Sequence, residues 1–129
     1  MRSLLLDTHA FLWFIFDDPR LSEGAAAALS RPRTELSLSV ASLWEITIKH
    51  QLGKLELGMD LDTFLREYIE LRELNIMPVS LAHLRAYSAL DLRHRDPFDR
   101  LLVAQATCSG MPLVSGDPAI RCYEVEVVW

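Results

Sequence analysis

Four acidic residues, far apart along the chain, fall where strands are predicted to end or helices to begin. They are Asp7, Glu45, Asp99 and Asp117. In an open α/β sheet, ligands bind beyond the carboxyl ends of the strands, so we expect these carboxylates to meet at one edge. Two unit charges about 5 Å apart repel by roughly 3 kcal/mol at an effective dielectric near 20. A cluster of four therefore requires either protonated carboxyls with a raised pKa or a divalent cation.

The donor types in this set indicate which cation would bind. Oxygen-only ligands suit Mg²⁺, with Mn²⁺ as an alternative. Zinc is disfavoured because the histidines show no zinc-type spacing; they are His9, His50, His83 and His94. Mg²⁺ held by a few carboxylates keeps several waters and usually meets substrate phosphates. A water activated for in-line attack would hydrolyse a phosphodiester, so that is the chemistry the acids predict.

Three of the four acids also have simpler interpretations. Asp7 and Asp117 each precede a predicted helix or turn and are suitable N-caps. Glu45 completes a capping-box pattern that starts at Ser42, and with Lys49 it forms an i,i+4 pair expected at the surface. Position at the end of a strand favours the functional interpretation, but both remain open at this point.

Asp99 is more informative, because it shares a helix face with apolar residues. The residues three, four and seven positions further on are Leu102, Val103 and Ala106. Asp96 already supplies the N-cap of this helix, so Asp99 is not needed for that purpose. Buried charges are costly unless they are paired or bind a metal. The alternative to a metal ligand is a buried ion pair with Arg95 or Arg100.

The elements that must position these residues alternate between strand and helix. Strands are predicted over Ser3–Leu6, Glu35–Ser39, Ile76–Val79, Pro112–Ser115 and Glu124–Trp129. Helices are predicted over residues 8–16, Ser22–Ser30, Val40–Leu52, Leu61–Leu74, Leu81–Leu90 and Pro97–Ser109. The helix over Val40–Leu52 has an apolar stripe formed by Ala41, Trp44, Ile48 and Leu52. The alternation predicts a three-layer α/β/α domain with a mainly parallel central sheet.

Length and composition limit the remaining possibilities. The chain of 129 residues suits a single domain over residues 1–129, and a net charge of −5 argues against a protein that coats DNA electrostatically. The longest apolar run, Ala10–Phe16, falls well short of the roughly 20 residues of a membrane helix. No signal peptide is apparent, and Cys108 and Cys122 form no metal or redox motif. We therefore expect a cytoplasmic protein that does not enter a membrane.

Four segments of the chain resemble PIN-domain ribonucleases, and most closely the toxins of the VapBC toxin–antitoxin type. They are residues 5–9 with Leu12-Trp13, Ser42–Ile46, His94–Ala106 and Leu113–Asp117. The match runs through essentially the whole chain in order, and His94–Ala106 is its most specific part. The resemblance implies a PIN-like fold and a Mg²⁺-dependent endoribonuclease that cuts single-stranded or looped RNA. It also implies a homodimer and a small VapB-like antitoxin partner.

The resemblance assigns roles to individual residues. Asp7 and Asp99 look like the main metal ligands, and Glu45 and Asp117 look like the remaining catalytic acids. Gly116 departs from the family, which commonly has a longer residue there, and this affects the expected position of Asp117. Residues expected to support the acids from just outside are Thr8, Ser42, Asp96 and Ser115.

A basic group beside Asp99 is the predicted RNA contact. Arg93, Arg95 and Arg100 lie close to it in sequence and suit phosphate binding. Two other functions remain open. A receiver-like phosphoacceptor domain also groups acids with Mg²⁺, although it would need paired acids early in the chain and a lysine late. A catalytically inactive PIN-like binding module would keep the fold without cleavage.

Overall fold

The computed structural model describes residues 2–72, 74–91 and 96–129. Its strands are β1 (Arg2–Leu6), β2 (Thr34–Ser39), β3 (Asn75–Met77), β4 (Leu113–Val114) and β5 (Val127–Val128). Its α-helices are α1 (Thr8–Ile15), α2 (Glu23–Ser30), α3 (Val40–Gln51), α4 (Leu61–Leu65), α5 (Leu81–Ala89) and α6 (Pro97–Ser109). A π-helical turn over Arg66–Glu70 follows α4, and a 3₁₀ helix spans Pro118–Cys122.

The strands form one parallel sheet with β1 at its centre. The strand order is β3-β2-β1-β4-β5, and each neighbouring pair is parallel. Because successive side chains of a strand point to opposite faces, Leu4 and Leu6 enter one core and Leu5 enters the other. The first core includes Phe11 of α1, and the second includes Leu102 of α6. Helices thus cover both faces, which confirms the predicted three-layer α/β/α fold.

Several helices and strands are shorter than the sequence predicted. The helix predicted over Leu61–Leu74 is α only to Leu65 and then widens into the π-helical turn. The third strand ends before Pro78, which cannot donate a ladder hydrogen bond. The last strand is reduced to Val127–Val128. The helix end predicted at Gly110 is correct, since this glycine has the left-handed conformation typical of a C-cap.

Helix α3 buries a different face from the one its apolar stripe predicts. Its buried residues are Ala41, Ser42, Glu45 and Ile46. Trp44 is 63% exposed and Leu52 is 62% exposed, so the stripe prediction was wrong for both. The helix begins after Ser39, whose hydroxyl accepts a hydrogen bond from the Ala41 amide. The capping box predicted to start at Ser42 is therefore wrong, and Ser42 and Glu45 lie inside the helix facing the molecule's interior.

Within the described ranges, no helix has both the length and the apolar character needed to cross a lipid bilayer.

Candidate active site

The carboxyl ends of β1 and β4 bring Asp7 and Asp117 together. These strands are adjacent and parallel, with Leu6 paired to Val114, so the residues that follow them leave the sheet at the same edge. Ser115 connects the two acids. Its hydroxyl oxygen accepts a 3.1 Å hydrogen bond from the Asp117 amide, and the same side chain lies near enough to the Asp7 carboxylate to lower the pKa of Asp7. Both acids also act as the N-caps that their positions predict, Asp7 toward Ala10 and Asp117 toward Ala119.

Burial dominates the electrostatic environment of Asp7. Asp7 is only 4% exposed, and this burial raises the pKa of its carboxyl above the usual 3.8. The hydrogen bonds from Ser115 and the Ala10 amide, and the charge of His9, lower the pKa without cancelling the effect of burial. The nearby negative charge of Asp117 raises it further. Asp7 is therefore a carboxylate that a cation would stabilise.

A second buried group links the ends of β1 and β2. Thr8, the first residue of α1, donates a 2.6 Å hydrogen bond from its hydroxyl to Oε1 of Glu45. The Ser42 hydroxyl lies 3.0 Å from the same Thr8 oxygen. Glu45 is 2% exposed, so the Thr8 hydroxyl replaces part of the water shell that its carboxylate has lost. Thr8 thus contacts Glu45 directly, and Ser42 contacts Thr8.

Lys49 lies among three acids. Its ammonium is 2.6 Å from Oε2 of Glu45, and this hydrogen bond raises the pKa of Lys49. The negative charges of Asp96 and Asp99 raise that pKa in the same direction. The predicted i,i+4 pair is present, but the expectation that it lies at the surface was wrong, because Glu45 is buried. Lys49 therefore supplies positive charge to the candidate site, a role that the sequence did not predict for it.

Helix α6 brings Asp99 to the same side of the molecule. Asp96 caps this helix as predicted, since its carboxylate accepts hydrogen bonds from the amides of Phe98 and Asp99. Asp99 is half-buried, one turn before a buried segment that contains Leu102 and Val103. As predicted, Asp99 shares a helix face with buried apolar residues. It lies at the accessible end of that face.

The four acids form two neighbouring pairs rather than one closed cage. Asp7 and Asp117 make one pair, while Glu45 and Asp99 flank Lys49. The two pairs are linked because Asp7 directly precedes Thr8, whose hydroxyl bonds Glu45. Among the described residues, no three His, Cys, Asp or Glu side chains are grouped closely enough to hold a metal ion as they stand. The donors nevertheless fit a hard divalent cation by their chemistry, being all oxygen and including a buried carboxyl with a raised pKa.

Of the three arginines predicted to contact RNA, Arg100 lies within the described residues. Arg93 and Arg95 lie outside the described residues. Arg100 is 7% exposed, and its guanidinium lies 4.5 Å from the centre of the Tyr87 ring. Its terminal nitrogen also lies 3.4 Å from the carbonyl oxygen of Leu90. Arg100 thus packs between α5 and α6, and this burial disfavours the phosphate contact predicted for it.

A pocket of about 480 Å³ opens beside Asp7 and Asp117. Its other lining residues are His9, Trp13, Arg20, Gly116 and Trp129. The sequence reading did not assign Arg20 or Trp129 to the site. A signal for Trp129 was present, since it is the last residue of the last predicted strand and should lie at the same edge of the sheet as the acids. Arg20 had no such signal, because it comes from the loop after α1.

Comparison with known proteins identifies relatives that cover nearly all of the chain. The PIN domain family model matches residues 4–125. Ribonuclease VapC22 of Mycobacterium tuberculosis (strain ATCC 25618 / H37Rv) is 28% identical over 124 residues, covering 95% of this chain and 93% of that protein. The match over residues 4–125 favours a PIN fold over a receiver-like domain.

Solved structures share the fold at low sequence identity. VapBC2 from Rickettsia felis, bound to a DNA fragment from its promoter, matches with a TM-score of 0.72 and 14% identity, covering 97% of this chain and 96% of that chain. FitAcB from Neisseria gonorrhoeae matches with a TM-score of 0.69 and 20% identity, covering 96% and 95%. VapBC-5 from Mycobacterium tuberculosis matches with a TM-score of 0.67 and 16% identity, covering 99% and 98%.

Proposed function

Because this chain belongs to the PIN-domain family, we propose that it is an endoribonuclease toxin of the VapBC type. It hydrolyses phosphodiester bonds of RNA with the help of Mg²⁺, and Mn²⁺ can replace that ion. The observation that carries the proposal is the buried Asp7, joined through Ser115 to Asp117 and adjacent to the group formed by Thr8 and Glu45. The similarity to Ribonuclease VapC22 supports the same activity.

Asp7 and Asp99 would be the main ligands of the cation, with Glu45 and Asp117 completing the acidic set. When bound, the cation would neutralise charge on the scissile phosphate and lower the pKa of water for in-line attack. Ser115 lies beside Asp7 and accepts from the backbone of Asp117, which links the two residues, and the Ala119 amide orients the Asp117 carboxylate.

Lys49 has a complementary role on the other side of the site. Its ammonium pairs with the buried carboxylate of Glu45 and lies close enough to Asp96 and Asp99 to offset part of their negative charge. Thr8 fixes the second oxygen of the same carboxylate. Lys49 and Thr8 thus stabilise the buried Glu45 carboxylate in a site that has to accept RNA, which is itself negatively charged.

A cleavage assay tests the activity directly. Purified protein is incubated with end-labelled single-stranded RNA in Mg²⁺, in Mn²⁺ or in EDTA, beside the variants Asp99→Asn and Asp62→Asn. We expect products with either metal, none in EDTA and none from Asp99→Asn. Asp62 lies on α4 with a highly exposed side chain, so Asp62→Asn should cleave normally. Absence of cleavage in all conditions would favour the inactive binding module, and equal cleavage in EDTA would contradict the metal requirement.

We propose a small VapB-like antitoxin as the protein partner, acting in the cytoplasm. The acids at the strand ends suit a basic inhibitor segment, and an arginine could pair with a carboxylate through two parallel hydrogen bonds. Structural neighbours include toxin–antitoxin complexes. Co-expression with the product of the adjacent small reading frame, followed by pull-down, tests this partner. A complex that suppresses cleavage supports it, and failure to form a complex argues against it.

We also propose a homodimer formed through an exposed apolar surface on α3, α5 and α6. The Trp44 and Phe98 rings contact each other at 5.5 Å between centroids, and an apolar depression of about 310 Å³ lies beside them. Leu84 contributes a further exposed apolar side chain. Water contact with such a surface is unfavourable, and a second copy would remove it. Light scattering should give a dimer mass for the native chain and a monomer mass for Trp44→Glu; a native monomer would contradict the proposal.

A further inference from the structure

Two tryptophans form one side of the pocket that contains Asp7 and Asp117. The ring centroids of Trp13 and Trp129 are 5.9 Å apart, and the ring planes are inclined by 56°. Trp13 belongs to α1, which begins beside Asp7, and Trp129 directly follows β5. We refer to Trp13 and Trp129 as the tryptophan wall. Both residues are half-buried, so part of each ring is available within the pocket.

The position of Trp129 depends on Gly116. A Cβ atom added at Gly116 would lie 2.6 Å from two carbons of the Trp129 indole, which is closer than packed atoms approach. The ring therefore lies directly against the backbone of the residue that precedes Asp117. This contact gives a physical reason for glycine at a position where the family commonly has a longer residue. It also fixes the tryptophan wall close to the acids.

Arg20 adds positive charge at the same pocket. Its guanidinium lies 5.0 Å from the centre of the Trp13 ring and is held by two hydrogen bonds to Asp18, of 3.1 and 2.7 Å. These contacts orient a side chain that is otherwise largely exposed. The pocket thus combines an aromatic surface, a guanidinium and two carboxylates within about 480 Å³, a volume typical of small-molecule sites.

We propose that the tryptophan wall stacks an unpaired RNA base next to the bond that is cut, with Arg20 contacting a neighbouring phosphate. Single-stranded RNA is bound by stacking its exposed bases on aromatic side chains, and arginine suits the phosphates. The inference rests on the proposed ribonuclease function and adds how that site holds its substrate. Stacking beside Asp7 and Asp117 would place the adjacent phosphate at the acids, so base binding contributes to positioning.

Binding is tested in the non-cleaving Asp99→Asn background with Mg²⁺ present. The probes are a ten-nucleotide single-stranded RNA of mixed sequence and an abasic analogue that keeps the same phosphates. Adding Trp129→Ala should weaken binding of the RNA about tenfold and leave the abasic analogue unchanged. Trp129→Phe should retain most of the affinity. Leu71→Ala removes an exposed apolar side chain elsewhere and serves as the control.

A substitution at Gly116 provides a second test, because Gly116 contacts Trp129. Gly116→Ala should displace the indole and weaken RNA binding about as much as Trp129→Ala does. The double variant should bind no worse than either single variant, since both remove the same contact. Additive losses, or equal losses with the abasic analogue, would overturn the stacking proposal.

Cleavage by the otherwise native chain separates the two proposals. If the native chain cleaves RNA and Trp129→Ala changes neither KM nor affinity, stacking is wrong while the ribonuclease function stands. If the native chain neither binds nor cleaves RNA, both are wrong. The supporting result is a KM raised about tenfold in Trp129→Ala and in Trp13→Ala, with kcat changed much less. Thermal melts of each variant show whether the fold has been kept.

Discussion

The ammonium of Lys49 lies 2.6 Å from the carboxylate of Glu45, one helical turn earlier on α3. Glu45 is buried, and its other oxygen accepts from Thr8, so both of its oxygens have partners. Lys49 is also near enough to Asp96 and Asp99 for their charges to raise its pKa. A lysine thus provides charge compensation in the half of the site that contains Glu45 and Asp99.

Lys49→Met should destabilise the metal-free protein. It leaves a buried carboxylate without its cationic partner, although water screens part of the interaction because the lysine side chain is 38% exposed. We expect a loss of about 1–2 kcal/mol, or about 3–6 °C in Tm. Lys54→Met makes the same substitution at an exposed position and should change Tm little. Equal melting temperatures for the two variants in EDTA would contradict a structural role for the Lys49 pair.

Asp7→Asn should remove a pH-dependent cost of folding. Burial raises the pKa of Asp7 in the folded chain, so the folded state holds this proton more tightly than the unfolded state. The native stability contributed by this group therefore falls as pH rises from about 3.8 through the raised pKa, and the cost is complete above it. Asparagine can keep the N-cap to Ala10 without that cost. Urea unfolding across this pH range, in EDTA, should show Asp7→Asn gaining stability over the native chain as pH rises.

Asp60→Asn is the matched control, because Asp60 is also an N-capping aspartate but has the opposite shift. The Thr63 amide lowers the pKa of Asp60, so its contribution is present above the usual pKa and is lost as pH falls. Asp60→Asn should thus lose stability relative to the native chain as pH rises. Parallel pH curves for Asp7→Asn and the native chain would contradict the raised pKa of Asp7.

Divalent metal should stabilise the native chain through the acids. A ligand at one hundred times its Kd adds about 2.7 kcal/mol by mass action, so Tm should rise by about 5–10 °C in saturating Mg²⁺ or Mn²⁺. Asp7→Asn and Asp99→Asn should show a much smaller rise, and Asp62→Asn should respond like the native chain. A flat response of the native chain at millimolar metal would count against a metal site here.

The sequence predicted the meeting of Asp7 and Asp117 because parallel strands end at a common edge. It could not predict which face of α3 is buried, since apolar residues lie on one side and the buried side carries Ser42 and Glu45. Periodicity identifies an apolar stripe but cannot tell whether that stripe meets the core or remains exposed. Nor could it place Lys49 near Asp99, because that proximity depends on the packing of α3 against α6.

Arg100→Ala should affect folding and leave RNA binding unchanged. The guanidinium is buried against Tyr87, so truncation removes packing and a cation–π contact. We expect a loss of roughly 1–3 kcal/mol in the free energy of unfolding. Arg85→Ala removes the same charge from an exposed position on α5 and controls for net charge. With both variants assayed below their melting temperatures, KM for RNA should match the native value. A rise in KM for Arg100→Ala alone, with an unchanged Tm, would contradict this expectation and support the phosphate contact predicted from the sequence.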